Sequence, residues 1–207
     1  MKLTSHFSLH EFERSATAEK YHIDNRVPSK FVPTLQQLCQ EVLEPLRSFV
    51  GGPIVISSGY RCNQLNIKVG GAYASQHTLG EAADIKLPLT SYTFWTDNKQ
   101  HTDVETAHKW IDWLERNVNF DQIILETSNG HDYWLHISCR RNLRANRHQV
   151  IRYLKKWRPV SGSGFMVHGY FDLESWTFWF IVFTIDVNSF SILVKSLFKD
   201  SNCLSSR

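Results

Sequence analysis

Leu35, Leu38, Val42 and Leu46 recur at intervals of three and four residues, which predicts a helix with one apolar face across VPTLQQLCQEVLEPLRSFV. Pro33 suits its first turn, and Gly51-Gly52-Pro53 ends it. Upstream, Thr4 to Arg14 reads as a short helix, with Ser8 and Glu11 spaced as a capping box. Downstream, Val104, Ala107, Trp110, Ile111 and Leu114 fall on one face of a helix spanning Thr102 to Asn117. Between these helices the pattern changes. Ile54, Val55 and Ile56 in PIVISSGYR form a short β-rich run bounded by turn residues. NQLNIKVGGAYASQHTLGEAADIKL is rich in Gly, Ser and Ala, and reads as a loop leading into a strand at Ala82–Leu87. FDQIILE and YWLHIS are two β-rich runs about a loop centred on Asn129-Gly130, a hairpin pattern. The fold class expected is therefore α+β: a small antiparallel sheet flanked by helices.

Composition adds a boundary. Ten of the 27 aromatic residues fall in the last 49 positions. Residues 1–158 carry 20 Lys and Arg against 16 Asp and Glu, whereas 159–207 carry 3 against 4. VSGSG after Pro159 supplies a flexible joint, so a domain over 1–158 and an apolar, aromatic-rich tail over 159–207 are expected. The tail segment WTFWFIVFTIDVNSFSILVKSLF is broken by Asp186 and Asn188, short of the roughly 20 apolar residues that a membrane span needs. It reads equally as a β-rich packing element or as an aggregation-prone appendage. The net charge of +3 is too small for a dedicated nucleic-acid binder. Cys39, Cys62, Cys139 and Cys203 form no CxxC pair and are expected as free thiols. The N-terminal residues lack the apolar core of a signal peptide.

The stretch SQHTLGEAAD carries the most chemistry. His77 and Asp84 stand seven residues apart with small residues between, and imidazole and carboxylate both suit Zn²⁺. His136 in YWLHIS is a third candidate. Two nitrogens and one oxygen would leave a fourth tetrahedral position open, the pattern of a catalytic site. Such a spacing is common, and on its own does not decide for a metal. Arg61 presents a fixed fork suited to a carboxylate or an oxyanion, and equally to a salt bridge at a strand end. Ser75 and Gln76 precede His77, where they suit either substrate or structure. Trp134 shares a strand face with His136, as a cleft wall or as core.

SGYR at 58–61, S-x-H-x-x-G-x-A-x-D at 75–84 and WLHIS at 134–138, in that order, resemble the zinc D-Ala-D-Ala peptidases. These share a fold with lysostaphin-type peptidases and the amino-terminal domain of sonic hedgehog. LTSHFSLHEFERSATA, VLEPLR and IVISSGYRCNQLNIKVGG resemble the phage and bacterial branch, and the likeness covers roughly 1–157. It implies a zinc metallopeptidase with His77, Asp84 and His136 as ligands, and Arg61 on the substrate carbonyl. Its substrates would be peptidoglycan stem peptides or cross-links, cut beside a D-amino acid by carboxypeptidase or endopeptidase action. A phage lysis protein of this kind, cytoplasmic until release and monomeric, fits the missing signal peptide.

The general base departs from the best-known relatives. They place Asp or Glu three residues before the last His ligand, where this chain has Tyr133. An ordinary tyrosine titrates near pH ~10 and is a poor base at neutral pH. Glu126 ends the partner strand, where the hedgehog domain similarly carries a Glu, and is the favoured base. Asp132 is one residue out of register and would face away. His131, five residues before His136, matches a histidine that stabilises transition-state charge in some relatives. The Arg- and Lys-rich stretch from Cys139 to Arg158 reads as a solvated basic helix face that closes the domain, or as a binder of anionic polymer. The rival to an enzyme is a zinc-bearing wall-binding module or structural phage component without hydrolysis.

Overall fold

The computed structural model describes residues 1–91, 93, 99–155, 165–172 and 177–184; beyond residue 152 only the backbone is described. Two short helices open the chain, α1 (Leu9–Glu13) and α2 (Ala16–Lys20). Ser8 caps α1, and its backbone N–H donates to the Glu11 carboxylate at 2.8 Å, as the capping-box spacing predicts. The long apolar-striped stretch is α3 (Val32–Leu38) continuing through a π turn (Cys39–Leu43) into α4 (Glu44–Val50). Pro45 explains the widened turn: it has no N–H to give to the carbonyl of Glu41. Gly51, left-handed at φ 71°, stops the helix.

β1 (Ile56–Ser58) starts later than the apolar run Ile54–Ile56 suggests, and Ile54 is buried in the core ahead of it. The segment expected as loop contains α5 (Asn63–Lys68) and a 3₁₀ turn (Gln76–Leu79). α5 lacks an apolar stripe; it is held by its ends, where Cys62 Sγ accepts from the Leu65 N–H and Asn66 Nδ2 donates to the Ala72 carbonyl. β2 (Ala82–Lys86), α6 (Val104–Asn117), β3 (Gln122–Thr127) and β4 (Tyr133–Ser138) follow as the periodicity predicts. α6 buries Ala107, Trp110, Ile111 and Leu114, and its Trp113 stacks on Phe49 of α4 at 4.6 Å.

The basic stretch is not helical where it is described: after a 3₁₀ turn (Leu143–Ala145) it forms β5 (Gln149–Lys155), parallel to β3. Arg152 there pairs with Asp112 and Glu115 of α6, so part of its charge is neutralised. The sheet order is β1-β2-β4-β3-β5, antiparallel except for the last pair. In the tail, the backbones of β6 (Phe165–Asp172) and β7 (Thr177–Thr184) pair antiparallel. The boundary at Pro159 and the rest of the apolar tail lie outside the described residues. No described helix is long and apolar enough to cross a membrane.

Strand alternation divides the sheet into two faces. The rows Ala83–Ile137–Ile123 and Ile85–Leu135–Leu125 are buried in one core with Leu35, Leu38, Leu46, Ile111 and Leu114 of the helices. The intervening rows are Ala82–Ser138–Gln122, Asp84–His136–Ile124 and Lys86–Trp134–Glu126. They point to the opposite face, and every candidate ligand or base that lies on a strand belongs to them.

Candidate metal centre

His77 reaches the sheet from the 3₁₀ turn. Gly80, left-handed at φ 69°, reverses the chain there, and a Cβ on it would come within 3.3 Å of Phe31 and Leu35. The turn is tied down by Arg61 N–H donating to the His77 carbonyl (3.2 Å) and Cys139 N–H donating to the Glu81 carbonyl (2.8 Å). The His77 ring nitrogen Nδ1 lies 2.7 Å from the Gly59 carbonyl. A carbonyl only accepts, so Nδ1 is the protonated nitrogen and Nε2 keeps its lone pair. Gly59 is required at that place: a Cβ would sit 2.5 Å from the Phe12 Cα.

Nε2 of His77, Oδ1 of Asp84 and Nδ1 of His136 form a near-regular triangle. His77 lies 3.2 Å from each of the other two, and Asp84 and His136 are 2.9 Å apart. All three residues are buried. Burial pushes the His77 imidazole down against the pull of Asp84, so the ring is neutral at pH 7. Burial pushes the Asp84 carboxyl up, but the adjacent His77 and His136 more than offset this and hold it well below the usual carboxylate range. A carboxylate oxygen, the lone pair of His77 Nε2 and a ring nitrogen of His136 thus converge on one point. Ligands about a tetrahedral metal at ~2.0–2.1 Å stand roughly 3.3 Å apart. The donor set and its spacing therefore fit a borderline divalent ion such as zinc.

Asp84 Oδ2 is held from behind. Arg61 Nη2 donates to it at 2.6 Å, and Arg61 Nε donates to Ser58 Oγ at 2.9 Å. Asn25, which sequence reading passed over, staples this segment: its Nδ2 donates to the Tyr60 carbonyl and its Oδ1 accepts from the Cys62 N–H. A buried asparagine remote in sequence gave no local signal of that role.

The triangle opens on a cavity of about 370 Å³. Ser75, Gln76, Arg61 and Glu126 line it, together with Gln122, Arg140 and Arg147. Glu126 is buried one strand step from His136 on the same face, and Trp134 Nε1 donates to its Oε2 at 3.0 Å. Trp134 thereby orients a carboxylate and is not among the cavity's lining residues. Asp132 lies before β4 in the hairpin loop, exposed, accepting from Asn129 Nδ2 at 2.6 Å. His131 is also exposed, its ring 4.9 Å from that of His101 and outside the cavity. Tyr133 donates its hydroxyl to the Gly130 carbonyl at 3.1 Å. Among the described cysteines, Cys39 and Cys139 are buried free thiols and Cys62 is a half-buried one.

A buried two-histidine, one-carboxylate centre on a sheet face, open to a polar cleft, is the arrangement of a metallohydrolase. The family model described as Peptidase M15 matches residues 5–110, just over half of the chain, and the chain belongs to the Peptidase M15 family. That is the family of the zinc D-Ala-D-Ala carboxypeptidases, and membership makes the protein a metallopeptidase with peptide substrates in cell-wall peptidoglycan. The matched span includes Arg61, His77 and Asp84; Glu126 and His136 lie beyond it. No curated protein matches the chain.

Proposed function

We propose that His77, Asp84 and His136 hold a zinc ion and that the protein hydrolyses an amide bond beside a D-amino acid in peptidoglycan stem peptides or cross-links. The carrying observation is the three-donor triangle opening on a cavity that also holds a buried carboxylate, Glu126. Zinc bound there supplies a Lewis acid that polarises a carbonyl and acidifies water. Glu126 accepts the proton of the attacking water and delivers it to the leaving amine. Trp134 fixes the Glu126 carboxylate for both transfers by its hydrogen bond to Oε2. Arg61 orients Asp84 through its hydrogen bond to Oδ2. Arg61 also lines the cavity, and its Nη1 has no partner among the described residues, so a substrate carbonyl can accept from it. Ser75 and Gln76, at the rim beside His77, bound the peptide.

Purified muropeptides digested with and without a chelator test the reading. Chelator-sensitive cleavage is expected, and product masses name the bond. Tyr133, at the position where relatives carry the acid, favours a second reading as a wall-binding module. Binding of wall material with no cleavage of any muropeptide would decide for that module.

A further inference from the structure

Two arginines of the basic stretch fold back into the cleft. Asp121, immediately before β3, is completely buried and holds both: Arg140 Nε lies 2.7 Å from its Oδ1, and Arg147 donates through Nε at 3.0 Å and Nη2 at 2.6 Å. The Arg147 backbone N–H donates to the same carboxylate at 2.9 Å. One buried carboxylate thus serves two guanidinium groups, and one positive charge is in surplus. Both side chains are partly exposed (37% and 46%) and both line the cavity. Nη1 and Nη2 of Arg140 and Nη1 of Arg147 engage no acceptor among the described residues.

Their place relative to the triangle follows from register. Asp84, His136 and Ile124 stand in one row across the sheet. Glu126 is one step along β3 in one direction, and Gln122, next to Asp121, is one step in the other. Each step of two residues is about 7 Å, the span of roughly two residues of extended peptide. The cleft is therefore polarised: the base side carries a carboxylate, and the far side carries two guanidinium groups that bond Asp121 and keep further N–H groups without an acceptor among the described residues. Planar N–H donors fixed in this way match a carboxylate and disfavour a neutral amide.

We infer that Arg140 and Arg147, pinned by Asp121, form an anion subsite that binds a free carboxylate of the peptide substrate within about two residues of the cleaved bond. The inference rests on the peptidase reading for its substrate class, and it makes the two arginines specificity residues. A stem peptide carries such a group at its C terminus and at the α-carboxyl of its γ-linked D-Glu. Both present the same chemistry.

Calorimetry on the full zinc-loaded chain carrying Glu126→Gln tests it, since binding is then read apart from turnover. The probes are L-Ala-γ-D-Glu-L-Lys-D-Ala-D-Ala, its C-terminal amide and its D-isoglutamine form. One of the two amidated peptides should bind about 10–100-fold more weakly than the parent, which names the carboxylate. Adding Arg140→Gln or Arg147→Gln should weaken the parent peptide and leave that amidated peptide unchanged. The amidated peptide serves as the control for folding. Equal affinity for all three peptides, no binding of any at millimolar concentration, or discrimination surviving both arginine substitutions would overturn the subsite. Discrimination in a protein whose unmutated form cleaves nothing would sink the peptidase reading and keep the subsite. Cleavage without discrimination would do the reverse.

Discussion

The Gly59 carbonyl and the Arg61 guanidinium each set one donor of the triangle. The first fixes the His77 tautomer; the second takes the far oxygen of Asp84 and leaves Oδ1 to face the histidines. Purified protein should carry about one zinc per chain, and His77→Ala should lose it by elemental analysis; full retention would remove His77 from the ligand set. Glu126→Gln should cut turnover by about 10²–10⁴ with zinc content unchanged. Asp132→Asn should do far less, because Asp132 is exposed and bonded to Asn129. The reverse ranking in muropeptide assays would move the base from the strand to the loop. For these residues the sequence carried real information. His77, Asp84 and His136 sit in motifs whose order marks them, and Glu126 ends a strand predictable from its apolar run. The Trp134–Glu126 bond was not legible, because it depends on which residue of β3 stands opposite Trp134.

At the scale of elements, the hairpin of β3 and β4 does most of the positioning. Its register places even-numbered residues toward the cleft and odd-numbered ones toward the helices. The period of two places Trp134 and His136 on one face in the sequence, whereas the continuous run Ile123-Ile124-Leu125 leaves the facing of β3 to the register. Among the described elements, α2, α5 and β5 escaped the pattern. α5 has no apolar stripe to betray it and is fixed by Cys62 and Asn66 at its ends. β5 looked like part of a basic helix because Arg and Lys dominate the stretch around it, and its pairing is parallel to a strand more than twenty residues earlier. The corner before β3 carries the third prediction. Burial raises the Asp121 carboxyl, but hydrogen bonds from Arg147 and Arg140 more than offset this and hold it at about 2. Since its folded value lies below the ordinary 3.8, its contribution is complete above about pH 4 and is lost as pH falls through 2. Asp121→Asn should therefore cost about 2 kcal/mol in chemical denaturation at pH 7. Most of that difference should vanish near pH 2; a difference independent of pH would mean that the ion pairs contribute nothing.

For the whole molecule, one core joins both layers. The helices α3, α4 and α6 bury their apolar stripes on one sheet face, and the cleft occupies the other. That core draws its described members from residues 3 to 150. A chain ending at Arg158 is accordingly expected to fold and keep its zinc, with better solubility, since the apolar tail is the aggregation-prone part. Circular dichroism and metal analysis check this, and an unfolded or metal-free product would make the tail part of the domain.

Periodicity in the chain fixed α3, α4, α6 and the β3–β4 pair and the apolar faces that the helices bury, and motif order brought His77, Asp84 and His136 forward as candidate donors, because both are one-dimensional properties. Tertiary structure alone decided what stands behind and beside them. Asn25 stapling the Arg61 segment, Arg61 clasping Asp84 and Asp121 gathering Arg140 and Arg147 join residues 19 to 37 positions apart. Each of these contacts is a polar group satisfied by whichever partner the packed chain brings to it. Burial makes such partners obligatory, and nothing in the local spacing names them.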